Sequence, residues 1–187
     1  MRLFVAIEFD QSVIKAVQRV QRRLSRFDPE IRWTGPEQMH LTLKFLGEVP
    51  DDQVRAVCGA AKGVADRVAP IHLAVNACGC FPPRGDVRII HAGIAEPRGL
   101  LQRCRHLSED AFAGLGFERE RRPYSPHLTL GRVRRGRRAD GLREAVAKTS
   151  CDSVEHAVEA LWVIRSDLKP GGAQYTKIAE HPLSGPA

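Results

Sequence analysis

The tetrapeptide His40-Leu41-Thr42-Leu43 recurs as His127-Leu128-Thr129-Leu130, 87 residues further along a chain of 187. That offset is close to half the length. A strand-like pattern holds each copy and a helix-like pattern follows it, so the chain reads as a duplicated unit. The alternation of a strand sends the histidine and threonine of each copy to one face and the two leucines to the other. Leucines on one side imply a core; imidazole and hydroxyl on the other imply a shared cleft. The expected fold is α+β and bilobal, with pseudo-twofold symmetry. Two mainly antiparallel sheets flank the cleft and helices lie outside. A length near one domain's worth, about 150 residues, makes residues 1–187 one bilobal domain.

The remaining pattern fits this plan. Arg2 to Phe9 reads as a strand. Val13, Val17, Val20, Leu24 and Phe27 then step by 4, 3, 4 and 3, one stripe of a helix that Asp10 or Ser12 would cap. Ile31 to Thr34 reads as a short strand and Met39 to Leu46 as an alternating one. Asp51 to Val68 reads as a helix. Ile71 to Val75 and Val87 to Ile94 read as strands around the turn-rich Cys78 to Asp86. A helix over Leu100 to Leu115 stops at Gly116. Tyr124 to Val133 reads as a strand, Leu142 to Val146 as a short helix, and Val158 to Ile164 with Gln174 to Ile178 as a hairpin.

Composition narrows the function classes. A hydrophobic fraction of 43% is ordinary for a globular chain and excludes disorder as the main state. No apolar run approaches the roughly 20 residues of a membrane span. The apolar opening ends at Glu8 and Asp10, too short for a signal peptide, so the expected location is cytoplasmic. Five cysteines (Cys58, Cys78, Cys80, Cys104, Cys151) form no disulfide framework. They read as small buried thiols, and Cys78-Gly-Cys80 lacks the second pair a zinc site needs. The net charge is +7, and 23 of the 29 basic residues are arginine. The planar guanidinium fork suits oxyanions, so phosphate or nucleic acid is one reading of this excess and a solvated surface is the other.

Two imidazoles and two hydroxyls converging on one cleft suit a phosphate. Imidazole titrates near pH 6.5, so one ring can be neutral while the other is protonated. The neutral ring takes a proton from water and the charged one gives a proton to a leaving oxygen. In-line displacement at phosphorus puts those two events on opposite sides. The threonine hydroxyls can donate hydrogen bonds to the non-bridging oxygens. No His-x-His or His-Glu-x-x-His spacing points to a metal, and no cofactor is expected. His72, His91, His106, His156 and His181 have no partner by spacing and read as structural or surface residues.

The paired motifs resemble those of the 2H phosphoesterase superfamily. Within it, the chain is similar to the bacterial and archaeal RNA 2′,3′-cyclic phosphodiesterases, historically called 2′-5′ RNA ligases. Met1 to Ile7, Trp33 to Val49, Phe81-Pro82-Pro83 with Val87 to Ile94, Pro126 to Arg132, and Ser166 with Gly172 and Tyr175 carry the likeness nearly end to end. Two departures concern the nucleoside end: His91 and Tyr124 stand where the family often has an aromatic residue and Phe. The resemblance implies a metal-independent opening of a terminal ribose 2′,3′-cyclic phosphate to a 2′-phosphomonoester. His40 and His127 would be the acid–base pair, and Thr42 and Thr129 would bind phosphate. It points to His40 as acid and His127 as base, whereas the residues themselves leave that assignment open.

Secondary candidates follow from position. Lys44 shares strand parity with His40 and Thr42, so its ammonium either reaches the cleft or lies solvated at a strand edge. Phe45 has core parity, yet it and Tyr124 are candidates to stack on a base. Arg132 has the wrong parity for the His127 face and needs a bulge to reach phosphate. Arg134, Arg135, Arg137 and Arg138 follow it, and Arg119, Arg121 and Arg122 precede the second motif, a basic entry for RNA or a solvated loop. Expected partners are RNA with 2′,3′-cyclic phosphate ends, tRNA fragments among them, or small cyclic nucleotides, with no membrane and a monomeric chain. Competing readings are 2′-5′ end joining and a non-catalytic RNA-binding module that uses the cleft as a phosphate clamp.

Overall fold

The computed structural model describes residues 1–135, 139–170 and 172–186. Arg137 and Arg138 of the expected basic run lie outside them. In chain order the elements are β1 (Arg2–Glu8), α1 (Gln11–Arg23), β2 (Ile31–Trp33), β3 (His40–Glu48), α2 (Val54–Ala65), β4 (Ile71–Phe81) and β5 (Ile89–Ala95). They continue with α3 (Leu100–Ala113), β6 (His127–Val133), α4 (Leu142–Lys148), β7 (Val154–Val158), β8 (Ala160–Lys169) and β9 (Gly172–Pro182).

Two antiparallel sheets result, one ordered β3-β1-β8-β9 and the other β2-β6-β5-β4-β7. The 87-residue offset of the motifs also maps β1 onto β5 at both ends. It relates β3 to β6 and β8 to β4, so β3-β1-β8 in the first sheet answers to β6-β5-β4 in the second. The first half of the chain therefore gives β4 to the second sheet, and the second half gives β8 to the first. The helices are exchanged as well: α2 and α3 pack together over the first sheet, while α1 meets β7 and α4 meets β4 of the second. Leu41, Leu43, Leu128 and Leu130 are all buried in one core that runs through both lobes. The α+β, two-sheet architecture expected from the duplication is the observed one.

Local chemistry explains the boundaries. Asp10 caps α1, its carboxylate accepting from the amides of Ser12 (3.0 Å) and Val13 (3.1 Å). β4 runs on to Phe81, through the stretch expected to be turns, because Ala77 at φ 48° forms a bulge and pairing with β5 resumes at Cys78. β6 begins only at His127, since Pro123 and Pro126 have no amide hydrogen to give a ladder. Val158 closes β7, a strand that the sequence pattern does not separate. In it His156 and Val158 are buried, and the His156 Nε2 lies 3.0 Å from the Glu8 carbonyl of the first sheet.

The duplicated strands share a feature that alternation alone does not reveal. In β3, Val5 pairs with Lys44 and Ala6 with Thr42, leaving Leu43 as an extra residue. In β6, Ile90 pairs with Gly131 and His91 with Thr129, leaving Leu130 extra. The last leucine of each motif is thus a β-bulge, and side-chain parity reverses after it. Lys44 is consequently turned into the protein, 3% exposed, and Phe45 outward, 65% exposed. This corrects both parity expectations.

The buried ammonium is compensated. Lys44 Nζ lies 2.6 Å from Glu109 Oε2 and also donates to the Glu118 carbonyl. Arg105 pairs with the other Glu109 oxygen and donates to the carbonyl of the bulged Leu43 at 2.5 Å. Glu109 is therefore the one anion between two buried cations, and it also accepts from the Glu120 amide at 3.2 Å. Removing one partner of such a cluster leaves uncompensated buried charge, which costs about 3–5 kcal/mol. Glu109→Ala should lower unfolding stability by about that amount in urea denaturation. A loss below roughly 1 kcal/mol, the surface-pair range, would show that the cluster is hydrated.

Candidate active site

β3, an edge strand of the first sheet, and β6, between β2 and β5 in the second, meet across the middle of the molecule. Between them opens a cleft of about 940 Å³, lined by His40, Thr42, His127, Thr129 and Arg132 together. The two motifs thus present their polar faces to one space. The bulge at Leu130 turns Arg132 onto the His127 and Thr129 side, which resolves its parity conflict. Its pseudo-symmetric counterpart is Phe45, brought to the same face by the bulge at Leu43. β6 therefore delivers a cation to the cleft and β3 an aromatic ring.

The surroundings of the two histidines differ. His127 Nδ1 lies 2.8 Å from the Ser125 carbonyl. A carbonyl only accepts, so Nδ1 carries the hydrogen, and Nε2 is the nitrogen that holds the lone pair in the neutral ring. His40 has a corresponding backbone hydrogen bond at Gln38, again two residues upstream. Its ring also packs against Phe4 (centroids 4.7 Å) and edge-on to Tyr175 (5.2 Å). Burial, reinforced by the charges of Arg132 and His127, lowers the His40 pKa from 6.5 to about 4; the Gln38 hydrogen bond acts against this and loses.

A third imidazole stands beside His127. The His91 ring stacks on Phe81 (centroids 4.1 Å, interplanar 17°) and lies 5.6 Å edge-on from His127. Phe81 contacts His127 at 5.0 Å. The stack needs Gly79, where a Cβ would sit 2.8 Å from the His91 ring. Burial, then the neighbouring His127 charge, lowers His91 to about 4. Spacing did not find His91, because its partners come from β4 and β6. The available signal was its place on the strand that pairs with the second motif.

The remaining candidates divide. Tyr124 lines the cleft, but its hydroxyl is buried and the Arg105 guanidinium covers its ring at 5.3 Å. Burial raises its pKa. Lys44 also lines the cleft, but its ammonium is held by Glu109 in the buried cluster. Arg119 and Arg122 line the cleft but are paired with Asp110 (2.7 Å) and Glu120 (2.6 Å). Arg134 and Arg135 are exposed. Phe45 and Tyr175, with the buried Phe4 packed against both, make the first sheet's wall of the cleft aromatic, which contrasts with the basic wall at Arg32 and Arg132. Among the described residues, no helix is long and apolar enough to cross a membrane.

Comparison with solved structures places this architecture among LigT-like folds. A Thermus thermophilus protein superposes with a TM-score of 0.83 over 99% of both chains at 26% identity. Escherichia coli LigT complexed with 3′-AMP superposes with 0.78 over 98% of both chains at 24% identity. The model of the LigT-like phosphoesterases matches residues 7–91. An RNA 2′,3′-cyclic phosphodiesterase of Methanothermobacter thermautotrophicus is 30% identical over 177 residues, covering 94% of this chain and 95% of the relative. One from Thermus thermophilus is 32% identical over 99% of this chain and 91% of its own length. The chain belongs to the LigT-like phosphoesterase family.

The depressed histidines carry a sign that can be measured. Between pH 6.5 and about 4 the unfolded chain binds protons that folded His40 and His91 do not. Stability is therefore full above pH 6.5 and falls as the solution is acidified through that window. Denaturation at pH 7 and pH 5 should show the loss, and His40→Gln should reduce it. NMR titration should place the His40 midpoint near 4; a midpoint at 6.5 would contradict the environment described.

Proposed function

We propose that the chain hydrolyses the 2′,3′-cyclic phosphate at the end of an RNA to a 2′-phosphomonoester, with no metal in the reaction. The observation that carries this reading is the convergence of both His-x-Thr faces and Arg132 on one cleft. The names of the relatives at 30% and 32% identity support the substrate, as does an aromatic wall facing a basic one.

In the proposed reaction, water attacks phosphorus in line with the 3′ oxygen. One imidazole takes the proton of the attacking water, the P–O3′ bond breaks, and the other imidazole protonates the departing 3′ oxygen. Thr42, Thr129 and Arg132 hold the non-bridging oxygens as charge develops. Nε2 of His127, with Nδ1–H turned to Ser125, has the lone pair a base needs. His40 is then the acid. Its proton is disfavoured in the empty cleft by burial and by Arg132, and the bound phosphate anion offsets that by screening the cation. Phe45 offers its exposed ring to the terminal base, and Arg134 and Arg135 past the second motif follow the upstream backbone, so binding weakens with salt.

The decisive assay uses an oligonucleotide with a 2′,3′-cyclic phosphate end in excess EDTA. Expected is a 2′-phosphate product, with kcat/KM higher than for a cyclic mononucleotide. His40→Ala and His127→Ala should each cost about 10²- to 10⁴-fold in rate. Thr42→Ala and Thr129→Ala should cost less, about 10- to 10³-fold. Loss of turnover in EDTA that returns with added divalent metal would refute the metal-free scheme.

The pH profiles test the assignment of acid and base. kcat/KM reports the free enzyme and kcat the complex. The limb lost in His40→Ala should lie at higher pH in kcat than in kcat/KM, because the substrate's charge restores the His40 proton. Coincident limbs would reverse the assignment, and a profile flat from about pH 5 to 9 would exclude two imidazoles.

A further inference from the structure

The proposed reaction leaves the imidazole of His91 beside the cleft without a task. On the face of the second sheet that carries His127 and Thr129, His91 is the register partner of Thr129 on one side and of Gly79 on the other. Its ring leans over Gly79, where a Cβ would lie 2.8 Å from both Cε1 and Nε2. Phe81, two residues along β4, stacks on it with centroids 4.1 Å apart. Cys78 and Cys80 alternate with these residues and pack against the core, half-buried rather than fully buried as the sequence suggests. Phe81 lines the cleft and His91 does not. The His91 Nδ1 is buried and has no hydrogen-bond partner among the described residues. A ring so placed does not reach the substrate. It does reach His127: the His91 and Phe81 planes stand at 67° and 77° to the His127 ring, with centroids 5.6 and 5.0 Å away.

We propose that His91 is a positioning residue: stacked on Phe81, it holds the His127 ring in the orientation that keeps Nδ1 on the Ser125 carbonyl and aims Nε2 into the cleft. The inference rests on the phosphodiesterase reading for its effect on rate, and on geometry alone for the state of the ring. The Ser125 hydrogen bond (2.8 Å) fixes one corner of His127. By itself it leaves the ring free to swing about that corner, and two rings packed against it remove the freedom. The first lobe makes the same provision by other means. There Ala6 holds the register position of His91, paired with Thr42, and His40 is braced by Phe4 and Tyr175. An imidazole is tolerated as the brace because burial keeps His91 uncharged at neutral pH. When His127 takes up the proton of water, no second cation stands against it.

The test compares His91→Ala, His91→Phe and Gly79→Ala in the full chain, with rates taken per folded molecule. Alanine removes the brace, and phenylalanine restores a ring without its nitrogens. The Gly79→Ala methyl displaces the His91 ring without touching the catalytic residues. His91→Ala should lower kcat on the cyclic-phosphate oligonucleotide by roughly 10- to 10²-fold, the cost of a small misplacement of a reacting group. KM should change less than about twofold, since ground-state binding is intact. Gly79→Ala should act in the same direction, and His91→Phe should recover most of the loss. Imidazole nitrogen NMR reads the geometry without substrate. The neutral His127 ring should carry its hydrogen on Nδ1 in the wild type and in His91→Phe, and should become a mixture of tautomers in His91→Ala. An unchanged tautomer and kcat in folded His91→Ala would overturn the proposal. So would a wild-type ring with its hydrogen on Nε2, or a His91→Phe variant that stays inactive with the His127 tautomer intact. The expected tautomer change in a chain that does not turn over the oligonucleotide would uphold the positioning and sink the phosphodiesterase reading alone.

Discussion

An extra residue at the end of each motif, Leu43 in β3 and Leu130 in β6, governs the cleft. A regular strand through His40 or His127 would keep every second residue on the cleft side and send Phe45 and Arg132 into the core. The bulges at Leu43 and Leu130 reverse that order after the threonine. The two lobes stabilise the reversal by different means. In the first, the Leu43 carbonyl accepts from Arg105, and the inward Lys44 is neutralised by Glu109. In the second, the inward position is Gly131, where a Cβ would sit 2.8 Å from Ile31 and Trp33. There β2 itself fills the space. The same backbone irregularity is thus held by ion pairing on one side and by close apolar packing on the other.

The ion cluster also couples parts of the chain that lie far apart in sequence. Glu109 and Arg105 of α3 reach β3, the 118–120 segment and, through the Tyr124 ring, the approach to β6. The two motif strands belong to different sheets, so their mutual placement depends on such connections. A buried network of this kind contributes less to net stability than to holding one arrangement, because desolvation offsets most of the Coulomb attraction. Gln21 adds a neutral link, donating from α1 to the Leu130 carbonyl at 2.9 Å beside the second bulge.

Asymmetry within the pseudo-symmetric frame sets the electrostatics of the two imidazoles. The first lobe surrounds His40 with Phe4 and Tyr175, excluding water and disfavouring its charge. The second lobe surrounds His127 with Phe81 and His91 and leaves it hydrogen-bonded to Ser125. At one register position the first lobe has Ala6, paired with Thr42, and the second has His91, paired with Thr129. The duplicated scaffold therefore gives two chemically identical side chains different surroundings.

Repetition and periodicity carried the largest part of the fold. The 87-residue echo, the helical stripe from Val13 to Phe27 and the alternation in both motifs are written in the order of the residues alone, and such signals survive in a single sequence. They determined the α+β class, the duplicated halves and the identity of the paired His-x-Thr faces. The bulges were not legible, since a strand's register is set by its partners, and the leucines at 43 and 130 look like ordinary core positions. For the same reason Lys44 and Phe45 exchanged faces, β4 ran on through Cys78, and His91 gained neighbours that its spacing did not suggest. Tertiary pairing decided which groups reach the cleft, because contacts between residues tens of positions apart leave no period in the sequence.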